Sequence, residues 1–378
     1  MSAVAAALAP ITPCTVNLRQ YTTLALGGQA QWVAITHLAE AQAAVAQAHV
    51  QQIPLTVLGG GSNVIVPDGP FPGWVLHPSL SPTLPNITPV HSTTTHVTLR
   101  AHAGVVWDDF VAHAVAAGLW GVENLSLIPG HVGGAPVQNI EAYGQELAST
   151  LTTVHALDLP TNTPCTLAAA DCAFGYRRSR FNTTDRGRYL ILAVDFTLAR
   201  IGTPNLRYKD LADWFAPQLQ AGQTPALAAV RAAVVAIRQQ KLHDPAQVGN
   251  VGSFFKNPTL PRDIYEKLCA TWGATLSPDQ QARLAEFGTR FAGPQGVKVP
   301  AGFLIEACGL RGYQMGGAQV SPRHALVLIN ATGQATAADV ITLAQHIIAT
   351  VRTHTHITLV PEPNFLGFSP TDLGGLNP

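Results

Sequence analysis

Two glycine-dense segments constrain this chain more than any other feature. Leu58-Gly59-Gly60-Gly61-Ser62-Asn63 closes a short β-type run, Ile53 to Leu58, and Ile128-Pro129-Gly130-His131-Val132-Gly133-Gly134-Ala135-Pro136 sits within residues 118–144, which show no period. Lacking a Cβ, glycine lets backbone approach another group closely. The amides of the first turn and the Ser62 hydroxyl can converge on a phosphate oxygen. It is not a P-loop, since no Gly-Lys-Ser/Thr follows, and Val64 occupies the third glycine position of the dinucleotide fingerprint GxGxxG. Alone, such a turn reads equally well as plain chain reversal. A second run of unhindered amides shifts the balance, because two glycine loops in one region suit a ligand with a diphosphate and a flat ring.

Periodicity places helices at Leu38 to Ala48, Trp107 to Ala117, Pro225 to Gln240 and Ala337 to Arg352. Strands are expected at Ile53 to Leu58, His96 to Ala103, Thr153 to Leu157 and Leu190 to Leu198. Residues 77–96 are crowded with Pro, Ser and Thr and predict a surface loop or irregular hairpin, and the closing residues 356–367 read as β-rich. On that reading His354 and His356 alternate on a strand as a solvent face rather than a metal site, and no metal is expected. Strands and helices mix without strict βαβ alternation, which argues for α+β domains. At 378 residues the chain suits two or three of them, with a boundary just after the helix that ends near residue 240.

Charged residues make up 12 % of the chain, and 22 basic residues balance 22 acidic ones, so no basic surface for nucleic acid is expected. A few Lys and Arg in a closed site can still hold a diphosphate. The five cysteines, Cys14, Cys165, Cys172, Cys269 and Cys308, are scattered and odd in number, and read as free thiols of a cytoplasmic protein. The Ala-rich opening Ser2 to Pro10 lacks a positive n-region, so no cleaved signal is expected. Apolar stretches such as Leu227 to Ile237 are interrupted by Arg before the roughly 18–20 residues that span a bilayer, so no membrane association is expected.

Taken together, LGGGSN at 58–63, GVENLSLIPGHVGGAPVQNIEAYG at 121–144, FGYRRSRF at 174–181 and GSFFKNP at 252–258 resemble the flavoenzyme family of UDP-N-acetylenolpyruvoylglucosamine reductases. GYQMGGAQVS at 312–321, HALVLIN at 324–330 and PEPNF at 361–365 extend the likeness over nearly the whole chain, in the family's order. The resemblance implies an α+β fold with an FAD-binding module of the vanillyl-alcohol oxidase type. Its two α+β subdomains would span 15–242, split near 80–95. A C-terminal α+β substrate-binding domain would follow at 243–355, and the tail 356–378 would return to the active site. It further implies noncovalent FAD, NADPH as reductant, reduction of UDP-N-acetylglucosamine enolpyruvate in peptidoglycan precursor synthesis, and a monomer.

By the same resemblance Gly59, Gly60, Gly61, Ser62 and Asn63 would hold the FAD diphosphate, and Pro129, Gly130, Val132, Gly133, Gly134 and Ala135 would line the isoalloxazine. Arg177 would pair with the substrate carboxylate, Glu362 would polarise the enolate, and Ser253 would donate the proton. Lys241 and Tyr208 would clamp the UDP diphosphate, with Asn257, Gln314, Tyr143 and Gln138 at further substrate positions. Tyr208 implies the subgroup with an extra closing loop. Each residue also has an ordinary reading. Ser253 could be a turn hydroxyl capping amides, Arg177 part of a solvated basic face with Arg178 and Arg180, Lys241 a cation at a helix C-terminus, Glu362 an exposed loop acid, and the tyrosines and Gln314 packing or surface groups.

Two places depart from the family pattern: Glu141 stands where glycine usually precedes Ala-Tyr-Gly, and Pro363-Asn364 replaces the usual Val-Arg after Glu362. His131 occupies a variable family position, where it reads first as a spectator, with a flavin-facing role as the alternative. Two rival functions remain from the residues, a flavin oxidase that uses oxygen and a silent flavin- or nucleotide-binding protein.

Overall fold

The computed structural model describes residues 10–369 and 371–376, so the opening segment up to residue 9 and residues 370, 377 and 378 of the tail lie outside the described residues. The chain divides into two compact units. Unit one comprises residues up to Val16, Gln29–Gly61 and Phe71–Gln240, and unit two comprises Asn17–Gly28, Ser62–Pro70 and Lys241 onward.

Unit one holds two layered cores. In the first, the strand Trp74–Pro78 runs parallel to Gln29–Ile35 on one side and Leu55–Val57 on the other. The helix α1 (Leu38–Gln51) buries Ala41, Ala44, Val45 and Ala48, the i, i+3, i+4, i+7 stripe of its sequence, and Gln52 at φ 55° ends it in the left-handed conformation. The second core lies against a five-stranded antiparallel sheet, in the order Thr163–Ala168, Leu151–Asp158, Tyr189–Ala199, His96–His102 and Ile87–Ser92. The Pro-rich stretch therefore contributes an edge strand of a hairpin, where Pro89 removes no internal ladder bond. The helix α2 (Trp107–Ala116) packs Trp107 and Phe110 against Phe196, and Gly118 at φ 72° follows its end. The helices α3 (Lys209–Gln220) and α4 (Leu227–Lys241) close a smaller cluster of Leu211, Phe215, Val230, Ala233, Val234 and Ile237.

In unit two an antiparallel sheet runs Asn250–Ser253, Val327–Asn330, Ala318–Val320, Gln314–Met315. Asn250 and Asn330, both buried, bind other segments to it. The Asn250 amide donates to the Thr23 carbonyl at 2.9 Å, and the Asn330 side chain donates to the Leu24 carbonyl at 3.2 Å. The long helix α5 (Ala337–Thr355) begins with a capping box between Thr336 and Asp339. Here the expectation of a strand carrying His354 and His356 fails. The helix continues through Thr355, whose buried hydroxyl donates to the Val351 carbonyl at 2.7 Å, and His356 at φ 59° caps it. A run of β-branched and polar residues mimics a strand, but one buried face decides for helix. The closing residues are mostly irregular, with a two-residue strand, Asn364–Phe365, parallel to Val64–Ile65.

Candidate active site

The glycines of unit one are of two kinds. A Cβ on Gly60 would lie 2.7 Å from Gly130 Cα and 3.0 Å from His131 Cδ2, and one on Gly133 would lie 2.7 Å from Ala103 Cβ. These two glycines let the turns seat against neighbouring backbone. A Cβ on Gly59 or Gly134 would meet nothing within 4 Å, and neither residue has a φ that excludes other amino acids. The protein itself does not require glycine there.

The amides divide the same way. Those of Val132, Gly133, Gly134 and Ala135 donate to Val105, Ala103, His131 and Val132 carbonyls at 2.8, 2.9, 3.0 and 3.2 Å. The second turn therefore does not supply the run of free donors that its sequence suggests. Val132 and Ala135 are buried in the core, so this turn offers a backbone surface, with Pro129 half-buried beside it. The amides of Gly59 and Gly60, by contrast, make no backbone hydrogen bond among the described residues.

Further along unit one, FGYRRSRF folds into a locked turn. Gly175 and Arg178 exchange backbone hydrogen bonds at 2.9 and 3.1 Å, and Arg177 between them sits at φ 51°, a conformation that costs a non-glycine residue energy and concentrates at functional sites. Buried Ser179 holds the turn by donating to the Val137 carbonyl at 2.7 Å, while Asn182 donates to the Arg177 carbonyl at 3.2 Å. The Arg177 guanidinium donates to the Glu141 carbonyl at 3.2 Å and lies 5.6 Å over the Tyr176 ring. It is thus no part of a solvated stripe with Arg180, which pairs with Asp185 at 2.6 Å.

Tyr143 meets Tyr208 edge to face at 5.0 Å. Burial pushes the Tyr143 phenol up to about 12, against the pull of the neighbouring Arg238. Glu141 pairs with Glu146 in a two-residue hairpin and has ordinary backbone angles, so a side chain is accommodated there without strain. The left-handed residue is Tyr143, at φ 49°, held by Asn124, which donates to the Tyr143 carbonyl at 3.0 Å and the Asn205 carbonyl at 2.8 Å. Tyr208 is the residue before α3 and is partly exposed. Gln138 is half-buried near this region.

Sequence reasoning missed Arg238. It looks like a solvent-facing residue of α4, yet its Nε donates to the Leu127 carbonyl at 3.2 Å. Burial lowers its pKa, Tyr143 and Asp108 pull it back up, and the charge of Arg177 lowers it again. Two guanidinium charges that act on one another, one of them on a half-buried side chain, form a place where an anion is favoured. Only the i+7 relation to Arg231, whose partner is Asp108 at 2.7 and 2.9 Å, hinted that this face of α4 turns inward.

In unit two Ser253 lies at the end of a strand that gains one extra residue against its partner, since Asn250 pairs with Ile329 but Ser253 with Val327. Gly252 at φ 69° takes up this bulge, which re-aims the residue after it. No hydrogen bond from the Ser253 hydroxyl forms among the described residues, so it is not a capping group. The tail pairs directly alongside, with the Lys256 amide donating to the Val360 carbonyl at 2.9 Å and the Glu362 amide to the Phe254 carbonyl at 2.8 Å. Asn63 ties the same residue from the other side, its Nδ2 donating to the Glu362 carbonyl at 3.3 Å, and its carbonyl accepts from the Asn364 amide at 3.0 Å. Ser253, Glu362 and the Ser62-Asn63 segment are therefore neighbours within unit two.

The other expected positions of unit two are more dispersed in role. Lys241 is exposed at the end of α4 and adds its charge to the burial that depresses the His324 pKa. Asn257 accepts from the Ala301 amide at 2.9 Å, capping the short helix Ala301–Ala307. Exposed Gln314 donates to the Gly316 carbonyl at 2.9 Å within its own hairpin.

The fold and these loops define a flavoprotein with an FAD-binding part and a distinct C-terminal domain. An FAD binding domain profile matches residues 30–164, and the profile described as UDP-N-acetylenolpyruvoylglucosamine reductase, C-terminal domain, matches residues 244–366. The residues present fit such a cofactor, because open space above Gly59 and Gly134 and uncommitted amides at Gly59 and Gly60 are what a nucleotide approaching backbone requires. The chain is 42 % identical over 355 residues to UDP-N-acetylenolpyruvoylglucosamine reductase from Neisseria meningitidis serogroup A, covering 93 % of this chain and 96 % of that one. The corresponding protein of Alcanivorax borkumensis is 39 % identical over 350 residues, covering 93 % and 95 %. A solved structure of the reductase from Thermus caldophilus shares the fold with a TM-score of 0.61 at 23 % identity, covering 94 % of this chain and 99 % of that one. The chain belongs to the UDP-N-acetylenolpyruvoylglucosamine reductase family, and its fold is the α+β arrangement expected from the motifs.

Proposed function

We propose that the chain reduces UDP-N-acetylglucosamine enolpyruvate to UDP-N-acetylmuramate, using NADPH and noncovalent FAD, as a cytoplasmic monomer in peptidoglycan precursor synthesis. When bound, FAD supplies hydride chemistry between NADPH and the β-carbon of the enolpyruvyl group. The protein then has two tasks: to stabilise the negative charge left on the carboxylate-bearing fragment, and to deliver a proton to its α-carbon. Arg177 holds the carboxylate as a fixed cation, and Arg238 adds a second positive charge nearby. Glu362 orients the enolate, and Ser253 gives its hydroxyl proton to the α-carbon. Lys241 and Tyr208 take the UDP diphosphate, Asn257, Gln314, Tyr143 and Gln138 read sugar and phosphate oxygens, and the Tyr208 segment closes over bound substrate.

The observation that carries this reading is the tail. Glu362 is paired to the residue after Ser253, beside a hydroxyl with no structural employment. An oxidase reading accounts for neither. The test is Ser253→Ala in stopped flow. Flavin bleaching by NADPH should keep its wild-type rate, while reoxidation by the enolpyruvyl sugar nucleotide slows by roughly 10²–10⁴-fold, the usual weight of a general acid. Equal slowing of both half-reactions would remove Ser253 from the proton-donor role.

A further inference from the structure

His131 looks like a spectator in sequence, but its surroundings say otherwise. Its Nδ1 is buried and makes no hydrogen bond among the described residues. A buried ring nitrogen without a partner is exceptional, and it fixes which of the two nitrogens carries the proton. The residue stands at the seam of the two glycine turns. Its ring Cδ2 is one of the atoms that a Cβ on Gly60 would strike, and the Gly130 carbonyl before it accepts from the Trp107 amide at 2.9 Å.

The proton positions on this ring can be worked out. His77 lies edge-on to it at 5.6 Å, and His77 Nδ1 is 2.8 Å from the Leu58 carbonyl. A carbonyl only accepts, so His77 Nδ1 carries a proton and the ring is held from behind by Trp32 at 4.4 Å. Burial, helped by His77, lowers the His131 pKa to about 4, so the ring is neutral near pH 7 with one N–H and one lone pair. An N–H on Nδ1 would be a buried donor with no acceptor, the rarer and costlier defect, so the proton belongs on Nε2. Of the two ring nitrogens only Nδ1 is both buried and unpaired, so in this half-buried ring the Nε2–H is the accessible donor, on the residue whose Cδ2 borders Gly60.

We propose that His131 is a cofactor contact, donating its Nε2–H to an oxygen of the flavin nucleotide where the two glycine turns meet. The inference rests on FAD occupying this seam, and the experiment separates the two claims. Deflavinated wild type, His131→Leu and His131→Gln are titrated with FAD by fluorescence quenching and melted without cofactor. His131→Leu should bind FAD roughly 10- to 150-fold more weakly, the weight of one hydrogen bond to a charged or strongly polar acceptor. Its apo melting temperature should stay level or rise, because the substitution removes an orphaned buried nitrogen. His131→Gln, which restores an N–H donor, should recover part of the affinity. FAD affinity of His131→Leu within about twofold of wild type, or a loss of affinity matched by a fall in apo stability, would overturn the assignment. Absence of any FAD binding by wild type would instead overturn the cofactor reading itself.

Discussion

Substituting Gly59 by alanine separates a glycine kept for folding from one kept for a ligand. The added methyl meets no protein atom within 4 Å, and the residue's φ lies in a range that alanine adopts freely. Alanine also restricts the unfolded chain, so apo stability should hold or gain about 0.4–1 kcal/mol. If FAD packs onto this backbone, the same methyl intrudes on it, and overpacking at a fitted surface costs roughly 1–3 kcal/mol. That corresponds to an FAD dissociation constant about 5- to 150-fold higher. Gly60→Ala provides the contrast, because its methyl would sit 2.7 Å from Gly130 Cα, an atom that cannot rotate away. It should weaken FAD binding and lower apo stability together, by roughly 1–3 kcal/mol. The assay is a paired measurement on deflavinated protein, thermal melting without cofactor and fluorescence titration with it. Wild-type FAD affinity in Gly59→Ala would refute the reasoning, since the turn would then be a plain chain reversal.

Two further predictions concern stability. Asp195 is buried, which would raise its pKa, but bidentate bonds from Arg100 at 2.7 and 2.8 Å and one from His155 at 3.0 Å outweigh this and hold it at about 2. A carboxylate depressed in the folded state stabilises above its unfolded pKa near 3.8, so about 2 kcal/mol should be lost as pH falls from about 4 to 2, and denaturant midpoints for Asp195→Asn should lack that acid step. Asp108→Ala leaves Arg231 without its carboxylate and the Leu127 amide, now 2.6 Å from Asp108 Oδ1, without its acceptor. A loss of about 1–3 kcal/mol in chemical denaturation is expected, more than for a surface ion pair.

What the sequence made legible was whatever local pattern controls. Ala41, Ala44, Val45 and Ala48 announce α1 by spacing alone, and the glycines of 59–61 and 130–134 announce close backbone approach. What stayed hidden depends on distant partners. Nothing local shows that residues 17–28 and 62–70 join the C-terminal unit, because their membership comes from pairings such as Val64–Ile65 with Asn364–Phe365 and Asn250 with Thr23. The second glycine turn was recognisable as a backbone surface, but the commitment of its amides to Ala103 and Val105 was not. Arg238 escaped notice because the cations of an Ala- and Val-rich helix, Arg231, Arg238 and Lys241, read as its wet face. His354 and His356 misled because alternation without a core cannot distinguish a strand from the last turn of a helix.

The most direct test of the central claim, that an enolpyruvyl sugar nucleotide is the electron acceptor, is a single anaerobic turnover. Enzyme bleached with one equivalent of NADPH is mixed with UDP-N-acetylglucosamine enolpyruvate, and flavin absorbance and product are followed together. Yellow colour should return as UDP-N-acetylmuramate appears in equal amount, while UDP-N-acetylglucosamine without the enolpyruvyl group leaves the enzyme bleached. Enzyme that remains bleached with the enolpyruvyl compound but recovers its colour at once in air would contradict the account and make the chain an oxidase.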